Sequence, residues 1–168
     1  MKNAFFLLLA VLTMCITSFD TVDHPGYTIG DKVLQFKLRN IDGSLIGLSD
    51  YTESKGVILI FTCNHCPFSV AYEDRIIALH QKFAAQGYPV MAINSNDPVA
   101  YPADSYENMI ERAQEKKFPF VYLWDETQAI AKAFGALKTP HVYILKKKKK
   151  DFHVEYIGAI DDNSNEPE

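Results

Sequence analysis

The chain has 168 residues, 48% of them hydrophobic and 23% charged, with a formal net charge of −4 at pH 7. That length suits one ordinary domain, and the mix is that of a globular chain rather than a disordered one. The acidic balance argues against a nucleic-acid binder, no run reaches the ~18 apolar residues of a membrane-spanning helix, and three cysteines are too few for a disulfide-stapled scaffold.

Residues 1–18 read as an export signal. Lys2 supplies the positive charge, and Ala4 to Ile16 is apolar apart from Thr13, short for a membrane span but suited to the apolar core of a signal. Leu12-Thr13-Met14-Cys15 loosely resembles a lipoprotein box, so two routes stand open: lipidation of Cys15, which anchors the chain to a membrane, or cleavage near Ser18. Both predict a bacterial protein outside the cytoplasm, periplasmic or membrane-anchored, where disulfides persist. Residues 19–29 read as a polar linker, 30–163 as the folded domain and 164–168 as a polar tail.

Val33 to Arg39 alternates apolar and polar residues and predicts a strand, followed by a turn at Asp42-Gly43. Gly56 to Phe61 is the unbroken apolar run of a central strand. Phe68, Tyr72, Ile76, Leu79 and Phe83 recur at helical spacing, and Gly87 stops that helix. A second buried strand (Tyr88 to Ile93), a helix (Ser105 to Lys116), a short strand (Phe120 to Leu123) and a helix (Thr127 to Phe134, ended by Gly135) follow. His141 to Lys146 and His153 to Ile157 read as an antiparallel hairpin, and Lys146 to Lys150 as its solvated turn. Alternating strands and helices imply an α/β domain with a largely parallel centre.

The central strand leads straight into Thr62-Cys63-Asn64-His65-Cys66-Pro67, and a helix follows. The thiolate is the reactive form of cysteine. The free N–H groups and partial positive charge of a helix start stabilise an anion there. Cys63 is expected just before the helix, as the more exposed sulfur and the nucleophile. Cys66, one turn further in, is expected to resolve a mixed disulfide. Pro67 fits the first helical turn, where its missing N–H costs nothing. His65 is expected to tune the pair: an imidazole beside Cys63 favours the thiolate, stabilises the dithiol and makes the couple more oxidising. Trp124-Asp125-Glu126 reads as a strand end with a helix cap. Thr139-Pro140, from sequence alone, is an ordinary strand start.

CNHCP, CPFSVAYEDRIIAL, VMAINSND, YPADS, FPFVYLWDETQAIAKAFGALKTPHVYIL and YIGAIDDN resemble a known group. They are similar to the thioredoxin-like, peroxiredoxin-related redoxins of the alkyl hydroperoxide reductase and thiol-specific antioxidant superfamily, from about Gly30 to Asn163. The resemblance implies a thioredoxin-like α/β fold, a central mixed sheet flanked by helices, here lacking the usual C-terminal helix and leaving part of one sheet face bare. It implies Cys63 as the attacking thiol and Cys66 as the resolving thiol of a redox-active disulfide. Thr139 and Pro140 would form a cis-proline loop that offers backbone to the substrate. No cofactor beyond the dithiol is implied. The substrates would be protein or small-molecule disulfides, or peroxide, with a second thiol protein as electron donor or acceptor.

The chain also departs from that pattern. Thr62 lies one residue before Cys63 and four before Cys66, not three before a peroxide-reacting cysteine. Arg75 and Arg112 are the helical candidates for an arginine that stabilises the thiolate. Val57 stands where a buried carboxylate relays protons, and His141 follows the proline. The leading expectation is an exported thiol–disulfide oxidoreductase. Its alternatives are a thiol-dependent peroxidase and a copper- or zinc-binding module on Cys63, Cys66 and His141.

Overall fold

The computed structural model describes residues 26–164. The expected signal at 1–18, most of the linker and residues 165–168 of the tail lie outside the described residues. The strands are β1 (Lys32–Val33), β2 (Lys37–Asn40), β3 (Leu45–Gly47), β4 (Gly56–Phe61), β5 (Val90–Asn94), β6 (Val121–Trp124), β7 (His141–Lys148) and β8 (Asp151–Gly158). The helices are α1 (Pro67–Phe83), α2 (Tyr106–Lys116) and α3 (Ala129–Phe134).

All eight strands join one sheet in the order β1-β8-β7-β4-β5-β6-β2-β3. The centre, β4-β5-β6, is parallel because α1 and α2 carry the chain back between its strands. β7 pairs antiparallel with β4 and forms a hairpin with β8. This is the mixed α/β sheet that the resemblance implies.

Every residue of β4 and β5 is buried, which is why both read as unbroken apolar runs. On one face, Phe61, Phe134, Tyr143 and Tyr27 meet edge to face with ring centroids between 5.0 and 5.8 Å. On the other, Tyr72 and Ile76 of α1 and Met109 and Ala113 of α2 pack on Ile58, Ile60, Val90 and Ala92.

Several boundaries differ from the sequence reading. The single strand expected over Val33 to Arg39 is two strands, β1 and β2, six strand steps apart in the sheet. In a flat sheet those steps would span about 29 Å, whereas the chain from Val33 to Lys37 reaches only about 14 Å. The sheet must therefore curl. α1 ends at Phe83, one 3-10 turn follows, and Gly87 closes it with a left-handed φ of 93°. α3 starts at Ala129 rather than Thr127, because Gln128 adopts φ 59°. α2 keeps its expected start, with Ser105 Oγ accepting from the Asn108 N–H at 3.3 Å. Phe68, in the first turn of α1, is 60% exposed instead of joining the core.

No helix follows β8 among the described residues. An apolar groove of about 500 Å³ lies there between α1 and the β7–β8 hairpin, lined by residues such as Leu79, Phe83, Val142, Ile144 and Ile160. The acidic segment beyond it is not free in solvent: Asp161 bonds the Tyr72 hydroxyl and pairs with Arg75 at 2.7 Å. Arg75 also donates to the Asn163 and Ser164 carbonyls at 2.5 and 3.2 Å.

Candidate active site

The site forms where β4 hands over to α1. Pro67 occupies the first position of α1, so Cys66 is the residue that caps the helix. The Val70 N–H donates to the Cys66 carbonyl at 3.0 Å, the first bond of the helical ladder. The helix start thus falls on Cys66, not on Cys63. Exposure follows the same order. Cys63 is 3% exposed, whereas Cys66 is half-buried. The expectation that Cys63 is the more accessible sulfur is therefore corrected. The physical reason is that the loop Thr62–His65 continues the buried line of β4 before it turns outward.

The Thr139-Pro140 peptide bond is cis, and its loop lies against both thiols. Cys63 Sγ is 3.4 Å from Thr139 Oγ1 and donates to Ser69 Oγ at 3.7 Å. Cys66 Sγ donates to the Thr139 carbonyl at 3.5 Å. Burial is the largest influence on each thiol and pushes both up. At Cys63 it wins over the hydrogen bonds with Thr139 and Ser69, and the thiol stays above its ordinary value. At Cys66 it loses to the Ser69 and Phe68 N–H groups and the Thr139 and Ser69 side chains, and the thiol falls below its ordinary value.

Behind the thiol loop sits Asp104, fully buried in the 3-10 turn Pro102–Asp104. It accepts from the Asn64 N–H at 2.6 Å, from Asn96 Nδ2 at 2.8 Å and from Asn94 Nδ2 at 3.4 Å. The oxygen that takes Asn96, Oδ2, also holds His65 Nδ1, while Oδ1 takes the Asn64 and Asn94 donors. The His65 ring also stacks on Tyr101, 4.2 Å between centroids. The Tyr122 hydroxyl completes the frame by donating to Asn64 Oδ1 at 2.9 Å.

Asp104 is the residue that sequence reasoning missed. It lies 39 positions from His65, so no local spacing links them. The available signal was the asparagine pair Asn94, the last residue of β5, and Asn96 just beyond it, at the carboxyl end of parallel strands, where sites of open α/β sheets gather.

Other expected contacts do not form. Among the described residues, Cys63, His65 and Asp104 bring ligand-type atoms within 4.8 Å of one another, and His141 is not in that group. His141 instead packs on Tyr143, 4.8 Å between ring centroids. The Asp104 oxygens are already taken by the donors just described. Arg75 is committed to Asp161, and Arg112 grips Glu73 through two bonds of 2.7 Å.

Two thiols in a C-x-x-C loop at a strand-to-helix junction, facing a cis-proline, define a dithiol site of the thioredoxin-like class. The model of the AhpC/TSA family matches residues 29–153, and the chain belongs to that family. Its members are thiol–disulfide oxidoreductases or peroxidases, so in general terms the chain is a thiol redox enzyme.

Two solved structures are similar over most of their length. One is an uncharacterized conserved protein from Geobacillus kaustophilus, with 39% identity and a TM-score of 0.76 over 81% of this chain and 71% of that one. The other is a hypothetical protein from Sinorhizobium meliloti, with 31% identity and a TM-score of 0.76 over 82% and 74%. The thioredoxin domain of a thiol-disulfide oxidoreductase from Bacteroides vulgatus shares the fold at 14% identity, with a TM-score of 0.63 over 79% and 91%. No curated protein matches the chain significantly.

Proposed function

We propose that the protein is an exported thiol–disulfide oxidoreductase that cycles Cys63 and Cys66 between dithiol and disulfide through a mixed disulfide. One observation carries this reading: both sulfurs contact Thr139, beside a cis-proline whose loop can offer backbone to an incoming chain. The rim of the site supports a polypeptide substrate. Phe68, Tyr101 and Leu137 are 60%, 49% and 93% exposed, and they adjoin Cys66, His65 and Thr139 respectively. Exposed apolar side chains around a reactive group suit a polypeptide surface better than a peroxide. Protein or small-molecule disulfides are the substrates, and a second thiol protein returns the electrons. The expectation that His65 favours the Cys63 thiolate is corrected: burial holds that thiol above its ordinary value, and His65 is engaged by Asp104. Export to the periplasm or a membrane surface rests on residues 1–18 and on Cys15.

Family membership favours a second reading, a thiol peroxidase. Against it, the helical arginines are both engaged elsewhere. A stopped-flow comparison separates the two. Reduced full-length protein is mixed with hydrogen peroxide or with a small peptide disulfide, and loss of free thiol is followed. Fast loss to the disulfide and slow loss to peroxide is the expected result. The opposite order would make the protein a peroxidase.

A further inference from the structure

We infer that Cys63, His65 and Asp104 form a binding site for one zinc-type divalent cation, open in the reduced protein and closed once Cys63 enters a disulfide. The site itself is independent of the redox reading above; its effect on disulfide exchange rests on that reading.

Three unlike donor groups converge from two segments of chain. Cys63 and His65 lie in the loop between β4 and α1, and Asp104 ends the 3-10 turn before α2. Cys63 Sγ, a His65 ring nitrogen and an Asp104 oxygen all lie within 4.8 Å of one another. Zn²⁺ takes sulfur, imidazole nitrogen and carboxylate oxygen alike, and three protein ligands with a fourth position left to solvent is one of its usual arrangements. Cu(I), which selects sulfur, suits the carboxylate less well.

Charge is the second argument. Asp104 is fully buried, and among the described residues it pairs only with His65, which carries charge only when protonated. With the imidazole neutral, a Cys63 thiolate and the Asp104 carboxylate bring two negative charges together in the interior, and buried charge without a counter-ion is costly. A dication cancels both. The other donors to Asp104 are neutral: the Asn64 N–H and Asn94 Nδ2 at Oδ1, and Asn96 Nδ2 at Oδ2. Bonds of this kind orient a carboxylate ligand. They can stay, because two carboxylate oxygens offer about four acceptor positions. Only the contact of His65 Nδ1 with Oδ2 has to open for the ion to enter between them. Tyr101 stacks on the imidazole and fixes its plane, and the His65 side chain is partly exposed, which gives the ion a path in.

On binding, the ion bonds to Cys63 Sγ, His65 Nδ1 and Asp104, the Cys63 thiol proton passes to solvent, and no electron moves. Cys63 is then held as a metal thiolate, and the Cys63–Cys66 disulfide cannot form until the ion leaves.

The test uses the reduced full chain carrying Cys15→Ser, so that the two site thiols are its only cysteines. Equilibrium dialysis measures Zn²⁺, and Co²⁺ reports the sulfur ligand through its thiolate charge-transfer band. One ion per reduced chain is expected, held less tightly as pH falls because a proton must leave, and released on oxidation to the Cys63–Cys66 disulfide. Asp104→Asn and His65→Ala should each weaken binding by at least ~10-fold, and Cys63→Ser should remove the cobalt band. His65→Ala, at a partly exposed position, decides the matter should Asp104→Asn fail to fold. His141→Ala should bind as the parent does. A reduced protein that retains no zinc, or a cobalt band that His65→Ala leaves unchanged, would overturn the inference. So would loss of binding in His141→Ala, which would move the ion to the cis-proline side of the thiols. Saturating zinc should slow the reaction with glutathione disulfide by ~10-fold or more, because the free thiolate is the reactive form, and an unchanged rate would overturn the effect on exchange. A protein that binds zinc in this way yet reacts with no disulfide would remove the oxidoreductase reading and leave the metal site standing.

Discussion

Asp104 and Asp125 are both fully buried, and both lie beyond the carboxyl ends of neighbouring parallel strands, β5 and β6. Their partners are of different kinds. Asp125 accepts from the Ile130 and Ala131 N–H groups at 3.1 and 2.9 Å and from Ser95 Oγ at 2.9 Å. From three residues before the capping position Gln128 it takes the free N–H groups of the first turn of α3, and its charge is met largely by backbone that has to be there. Asp104 is met by Asn94, Asn96, His65 and the Asn64 N–H, groups drawn together from the thiol loop, the end of β5 and the segment after it. A buried carboxylate is therefore not in itself a mark of function. What distinguishes the two is whether the donors belong to a helix or converge from separate loops on a reactive group.

That contrast can be broken by substitution. Asp104→Ala strands the Asn64, Asn94 and Asn96 donors in the interior and frees His65. It should cost about 3 kcal/mol of stability and slow the reaction with glutathione disulfide. Urea unfolding and the thiol assay measure the two effects on one sample. Asp125→Ala removes a cap and should cost about 1–2 kcal/mol, with the thiol reaction unchanged. If it slowed the thiols as much as Asp104→Ala, the distinction drawn here would fail.

A smaller effect sharpens the contrast with a third kind of buried oxygen. Tyr51 and Tyr143 are pushed up to about 12, both chiefly by burial, with the Asp50 charge adding at Tyr51. The folded chain keeps these phenols neutral, whereas the unfolded chain ionises them near about pH 10. The unfolded state thus binds fewer protons across that window, and stability falls as pH rises from about 10 to 12. The urea midpoint should be level up to about pH 9 and decline above it. A flat profile to pH 12 would contradict the burial of these hydroxyls.

Much of this architecture could be read from residue order alone. The unbroken run Gly56 to Phe61 is typical of a strand buried on both faces, and it is the inner strand β4. Ser105 marked the start of α2, and Trp124-Asp125-Glu126 marked a strand end and a cap. The proline after Thr139 came next to the thiols as the resemblance implied. The order of exposure of the two cysteines was misjudged, although the clue was present: a proline at the first helical position makes its predecessor the cap. Asp104 and the split of Val33 to Arg39 were not legible. One depends on a contact across 39 positions and the other on the curl of the sheet, and neither leaves a local periodicity.

The two strands that end the sheet, β1 and β3, have two and three residues. So short a border offers a foreign strand few ladder bonds to copy, which blunts edge-to-edge growth into fibrils. It also constrains recognition. A polypeptide that visits this protein finds little sheet to extend and must be held through side chains and the loop beside the sulfurs, a grip that can be released once the electrons have moved.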